Sequence, residues 1–209
     1  MAKVKSKVAT RPKRADAQRN LDALLEAAKA VFMASGVDAP VREIATKAGV
    51  GLGTVYRHFP QRYDLVAAVL RREVDAVAAA ARKASEDLEP LEALTSWLRR
   101  FTRFVATKRG LATALHSGDP AFASMPAYFE EHVGPALKSL LGEAAAAGAI
   151  RRDVDPNDLL RAVSNLSSSD EAHSQRMVAL LIDGLRFGAS AAPATRSKES
   201  PSDISRKLV

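Results

Sequence analysis

The sequence predicts an all-α protein, and three observations carry that prediction. Apolar residues recur three and four positions apart, far more often than at alternate positions. Alanine is abundant while aromatic residues make up only 5% of the chain, so strand signals are weak. Breaks such as Gly118-Asp119-Pro120 and Gly148 through Pro156 punctuate the periodic stretches as loops. At 209 residues with 47% hydrophobic content, the chain can bury a core in one or two domains.

The elements follow in order. Residues 1–15 carry Lys3, Lys5, Lys7, Arg11, Lys13 and Arg14 with almost no apolar anchor, and read as a mobile basic arm. A first helix is expected from Asp16 to Ser35, because Leu21, Leu24, Leu25, Ala28, Val31 and Phe32 form one stripe and Gly36 ends it. From Pro40 to Tyr63 the pattern is that of two short helices folded about a glycine turn. Val41, Ile44, Ala45 and Ala48 mark the inner face of one, Gly49 supplies the permissive backbone, and Val55 and Phe59 anchor the other. After the Pro60-Gln61-Arg62 break a long helix is predicted over residues 63–84, with Leu65, Val69, Leu70, Val74 and Val77 as its seam. Further amphipathic segments are expected at about 91–108, 110–116, 126–147, 156–166 and 175–188. Pro135 should bend or break the third of these, since it lacks the N–H that a helix interior uses. Residues 190–209, rich in Ser, Pro and charge, read as unstructured.

The charge pattern gives the glycine-centred helix pair a partner. Residues 1–72 hold 14 Lys and Arg against 6 Asp and Glu, a net +8, whereas residues 73–209 hold 17 against 18, a net −1. The excess therefore sits beside the helix pair, where it suits a polyanion with salt-dependent affinity. The outward face of the second short helix carries Thr54, Tyr56, Arg57 and His58. Arginine can fork onto a guanine edge, while hydroxyls, imidazole and backbone N–H groups at a helix start suit phosphate oxygens. A helix-turn-helix that binds double-stranded DNA is the economical reading, and the basic arm then reads either as a solvated tail or as a second DNA contact.

The stretch IATKAGVGLGTVYRHFPQRYDL resembles the N-terminal motif of TetR-family transcriptional regulators, over roughly the first third of the chain. The resemblance rests on the Ile-Ala pair, the Ala-Gly-Val turn, the Gly-Thr-x-Tyr-x-x-Phe helix, and Arg62, three residues after Phe59, where the family often has lysine. It implies base reading by Arg57 and Thr54, with Gly53 allowing close approach to the duplex. It also implies phosphate contacts from Tyr56, His58 and Arg62, and a DNA-reaching position at Arg42, with Lys47 a weaker one. The family usually starts the first helix of the pair with a Thr or Ser cap. Here Asp38-Ala39-Pro40 takes that place, so the Asp38 carboxylate is expected to cap and Pro40 to open the first turn.

Segments WLRRFTRFVATKRGLATAL and LLIDGLRFG resemble the C-terminal domain of SbtR-like members of the same family, which implies a helical ligand-binding and dimerisation domain. The expected organisation is thus a basic arm over 1–15, a DNA-binding domain over 16–62, a ligand-binding and dimerisation domain over 63–189 and a tail over 190–209. Trp97, Phe101 and Phe104 fall at i, i+4 and i+7. With Leu111, Leu115, Phe122 and Phe129 they either line an effector cavity or form a solid core. His116 and His132 are candidate polar contacts in such a cavity, and Arg100 and Arg103 candidate attractors of an anion. Met177, Leu180, Leu181, Gly184, Leu185 and Gly188, joined by Leu159, Leu160 and Val163, either form a dimer seam across a two-fold axis or pack within one subunit. A homodimer is expected because a family member reads two half-sites with two heads.

Other function classes find little support. Gly49-Val50-Gly51-Leu52-Gly53 lacks the G-x-G-x-x-G spacing and follows a helix instead of a strand. The histidines at 58, 116, 132 and 173 form no H-E-x-x-H motif, no G-x-S-x-G elbow is present, and zero cysteines remove thiolate chemistry and cysteine-ligated zinc. An enzyme is not expected, nor a cofactor or metal. No run of about 18 apolar residues exists to cross a bilayer, and the N-terminus lacks the apolar middle of a secretory signal, so a cytoplasmic protein without membrane contact is expected. A non-specific architectural DNA binder is the remaining alternative, and it predicts negligible sequence preference.

Overall fold

The structure is a computed structural model that describes residues 11–168 and 170–187, with side chains from Ala17 onward. The expectations for the first part of the basic arm, the 190–209 tail and Gly188 lie outside the described residues. Among the described residues every regular element is helical, as the periodicity predicts.

Helix α1 runs Arg11–Ser35, five residues longer at its start than the apolar stripe demands. Its stripe is buried at Leu24, Leu25, Ala28, Val31 and Phe32. The Gly36 N–H bonds the Phe32 carbonyl at 2.9 Å and the chain turns there. Helix α2, Val41–Ala48, buries Val41, Ile44 and Ala45, and α3, Leu52–His58, buries Val55. The expected Asp38 cap does not form. Pro40 is the residue that precedes α2, no side chain caps it, and its own carbonyl takes the Glu43 N–H at 2.9 Å. Asp38 stands two residues outside the helix and is exposed, too far upstream for its short carboxylate to reach the orphan amides.

Helix α4, Arg62–Asp87, is the element shared by the two halves of the molecule. On one side it meets α1, through Lys29–Glu73 at 2.7 Å and Arg72–Glu26 at 2.9 Å. On the other it packs against α5, Pro90–Gly110, where the buried Trp97 indole donates to the Val77 carbonyl at 2.9 Å. A short α6, Ala112–Leu115, and a 3-10 turn at Pro120–Phe122 lead into α7, Met125–Ala146. Of the bend or break expected at Pro135, the break does not occur: α7 runs through it as one helix. Val133, Leu137, Leu140, Leu141 and Ala144 are buried on both sides of the proline, and that packing holds the helix together where its own ladder loses a bond.

Two helices complete the body. Helix α8, Pro156–Leu166, starts on the Asp155 carboxylate, which accepts from the Asn157 and Asp158 amides at 2.8 and 3.0 Å. Arg109 of α5 donates to the Ser164 and Ser167 carbonyls at its other end. Helix α9, Glu171–Arg186, begins four residues before the expected start because Asp170 accepts from the His173 amide at 3.1 Å.

Candidate nucleic-acid interface

The turn between α2 and α3 is set by backbone chemistry. Gly49 sits at φ 68°, the left-handed region that glycine occupies without strain, and its N–H bonds the Thr46 carbonyl at 3.2 Å. The Val50 N–H reaches back to the Ala45 carbonyl at 3.0 Å, so the orphan carbonyls of α2 are used in the turn itself. Gly51 then adopts an extended conformation, and its carbonyl accepts from the Thr54 and Val55 amides at 2.9 and 3.3 Å. Ile44 and Val55, fully buried, lock the two helices face to face.

With Val55 turned inward, the opposite side of α3 is committed to solvent. Gly53, Tyr56, Arg57 and His58 are exposed and Thr54 is half-exposed. Arg57 Nε donates to the Gly53 carbonyl at 3.1 Å, which aligns the guanidinium along the outer face of α3. A methyl group added at Gly53 would meet nothing within 4 Å, so no part of this chain requires glycine there. On α2, Arg42 and Lys47 are exposed, and the Thr46 hydroxyl donates to the Arg42 carbonyl at 2.9 Å.

Arg62 is placed differently from the others. It opens α4, is half-buried, and donates inward to the Val37 and Ala39 carbonyls. Nothing in the local sequence signals that destination, since both acceptors lie in the loop between α1 and α2.

The effector candidates divide in the same way. Trp97, Phe101, Phe104, Leu111 and Phe122 are buried, Leu115 and Phe129 are half-buried, and His116 is exposed with Nδ1 2.7 Å from the Ala112 carbonyl. The rings form a continuous stack: Trp97–Phe101 at 5.5 Å, Phe101–Phe104 at 5.7 Å and Phe104–Phe129 at 5.6 Å between centroids. In this conformation the stripe is packed core. Arg103 pairs with Glu171 at 2.9 Å, and Arg100 donates to the Ala76 carbonyl at 3.3 Å. Open space lies elsewhere, in a cleft of about 510 Å³ between α4 and α7 lined by Arg82, Glu86, Glu131, His132, Pro135 and Glu143 among others. Sequence reading missed this cleft except for His132. Its lining comes from two helices some fifty residues apart, and no motif joins them. Among the described residues no group of His, Asp and Glu is arranged to hold a metal ion, and no helix is long and apolar enough to cross a membrane.

The residues expected at a dimer seam are also split. Leu159, Leu160 and Val163 are buried within the chain, whereas Met177, Leu181 and Leu185 are half-buried, Gly184 is exposed and Leu180 is 63% exposed. Leu166 at the end of α8 and Phe187 after α9 are also exposed, at 39% and 84%.

Known proteins resemble this chain over both the helix-turn-helix and the helical body. Residues 24–69 match the bacterial regulatory proteins of the TetR family, and residues 89–187 match the C-terminal domain of SbtR-like transcriptional regulators. The crystal structure of a TetR transcriptional regulator from Streptomyces coelicolor is 37% identical with a TM-score of 0.69, the match covering 79% of this chain and 97% of that one. A TetR transcription regulatory protein from Mycobacterium vanbaalenii is 38% identical, also at TM-score 0.69, over 84% and 99% of the two chains. An HTH-type transcriptional regulator of Staphylococcus aureus is 38% identical over 63 residues, 30% of this chain. The match spans only 34% of the length of that curated relative.

Proposed function

We propose, from the premise that this chain belongs to the TetR family of transcriptional regulators, that it is a homodimeric repressor which occupies an inverted-repeat operator and leaves it when a small molecule binds the helical body. Membership makes it a DNA-binding transcription regulator and not an enzyme. The observation that carries the finer reading is the outer face of α3. A buried Val55 forces Thr54, Tyr56, Arg57 and His58 outward together, next to a glycine that the chain itself does not need.

In this reading Arg57 and Thr54 read base edges in the major groove, and Gly53 lets the start of α3 come close to the duplex. Tyr56 and His58 hold phosphates and set register, joined by Arg42 at the start of α2. Two copies present two such helices, and the α9 surface around Leu180 supplies the contact between them. Response to an effector passes through α4, which touches both halves. An effector that binds the DNA-incompetent pose more tightly by about 1.4 kcal/mol shifts the balance tenfold. The aromatic stripe from Trp97 to Phe129 is stacked shut here, so an effector housed there must part the rings. In this reading the protein works on nucleic acid in the cytoplasm.

The test is selection of bound duplex from a random pool, followed by Arg57→Ala and Thr54→Ala against the selected operator. Each substitution is expected to cost about 1 to 3 kcal/mol and to relax preference at one position. Unaltered selectivity in both variants would remove them from the reading role. Equal binding of every oligonucleotide by the parent protein at physiological salt would replace the regulator with a non-specific coat.

A further inference from the structure

One terminal nitrogen of the Arg62 guanidinium is used inside the molecule. Arg62 is the first residue of α4 and follows the break after α3, yet its Nη1 lies 2.7 Å from the Val37 carbonyl and 2.6 Å from the Ala39 carbonyl. A guanidinium terminal nitrogen carries two protons in one plane, and here two carbonyl oxygens take them. Both acceptors belong to buried residues, Val37 at 6% and Ala39 at 4% exposed, in the loop that delivers the chain into α2. That loop has no helix ladder of its own, and charged donors make the stronger kind of hydrogen bond. The pairing joins residues 25 apart in sequence and closes the chain around α2 and α3, with Arg62 at one end and Val37 at the other.

We infer that Arg62 is a positioning residue, the clasp that fastens the base of the helix-turn-helix to the first turn of α4, so that the reading helix takes its angle from α4. Asp64 supports the same joint by accepting the Gln61 N–H at 2.9 Å. Any tilt of α4 set by the body is then transmitted to α3 without play, because the loop ahead of α2 and the start of α4 cannot separate while the clasp holds. The inference rests on the operator-binding reading for its functional consequence, but the clasp itself belongs to the DNA-free protein.

The alternative role for this side chain is a phosphate contact, and salt dependence separates the two. A lost phosphate contact weakens binding to all sequences alike and reduces the slope of log K against log salt by about 0.9. A lost clasp leaves the number of phosphates unchanged and blurs the aim of α3. For Arg62→Gln, with operator and random duplex titrated between 50 and 300 mM salt, the expected result is an unchanged slope and a roughly tenfold lower ratio of operator to random affinity. A merely structural weakening lowers the active fraction on both duplexes and leaves that ratio alone. A slope reduced by about 0.9 with the ratio preserved overturns the inference, as does a variant that matches the parent in both.

Amide exchange on the protein without DNA gives an independent reading. Residues 37–43 exchange faster in Arg62→Gln if the clasp holds them, and at the parent rate if Arg62 serves only DNA. This arm decides the clasp even when no selected operator emerges. Should Arg62→Gln fail to fold, Arg62→Lys carries the test. Lysine keeps the charge that a phosphate needs but loses the planar two-proton donor. Faster exchange over residues 37–43 with a lower ratio then supports the clasp, and parental values in both overturn it.

Discussion

Gly49 and Gly53 stand four residues apart, yet the two positions call for glycine for different reasons. Gly49 answers an internal demand, a φ of 68° that an L side chain adopts only with strain. Gly53 answers none, because its backbone is ordinary helix and a methyl group would stand in open space. Alanine is the better helix former, so Gly53→Ala is expected to raise stability by up to about 1 kcal/mol in chemical denaturation. The same methyl would meet the duplex, and operator affinity measured by fluorescence anisotropy should fall. A variant that gains stability and keeps full affinity would show that α3 does not approach DNA at this residue.

At the scale of elements, α4 and α7 are joined by polar contacts that face solvent more than core. The Tyr128 hydroxyl donates to Asp75 Oδ1 at 2.5 Å, and Arg71 Nη2 donates to Ser124 Oγ at 3.1 Å. The hydrogen bond to Asp75 is the main reason the Tyr128 phenol is pushed up from 10.0 to about 12, with burial and the Asp75 charge adding to it. The raised value means that the folded state holds this proton more tightly than the unfolded chain. Its stabilising contribution is therefore complete below pH 10 and is lost as pH rises through about 12. Tyr128→Phe should cost about 0.5 to 1.5 kcal/mol at pH 7 in urea unfolding, with that difference shrinking above pH 10. It should also remove the last phenolate absorbance step from the alkaline titration. A difference that grows with pH would contradict the pairing.

For the whole molecule the deciding feature is the apolar surface left on α9. Leu180 at 63% and Phe187 at 84% exposed are large hydrophobic side chains at the surface, on or just after the helix that also carries half-buried Met177, Leu181 and Leu185. A second copy would cover them, and the chain of 22.3 kDa is expected to sediment at twice that mass. Leu180→Glu places a charge in that seam and should yield a folded monomer, checked by sedimentation and circular dichroism. With one head per particle the second half-site is lost, and operator affinity should drop about a hundredfold or more. A Leu180→Glu protein that stays dimeric would move the seam elsewhere.

The amino-acid order alone determined the helical class, the helix-turn-helix and its exposed basic face. Those depend on contacts within about four residues: the recurrence of Ile44 against Val41 and Ala48, the glycine after Ala48, and the asymmetry that sinks Val55 while lifting Arg57. The start of α8 at Pro156 was legible, whereas the cap expected at Asp38 does not form and the local Asp170 cap that starts α9 was passed over. Three-dimensional packing decided the rest. Pro135 sits inside a continuous α7 because Val133 before it and Leu137, Leu140 and Leu141 after it are buried, and the aromatic run from Trp97 closes into stacked core because α4 and α7 press on it. Arg62 donates to the Val37 carbonyl, 25 residues away in sequence, a partner that exists only once the chain has folded back on itself.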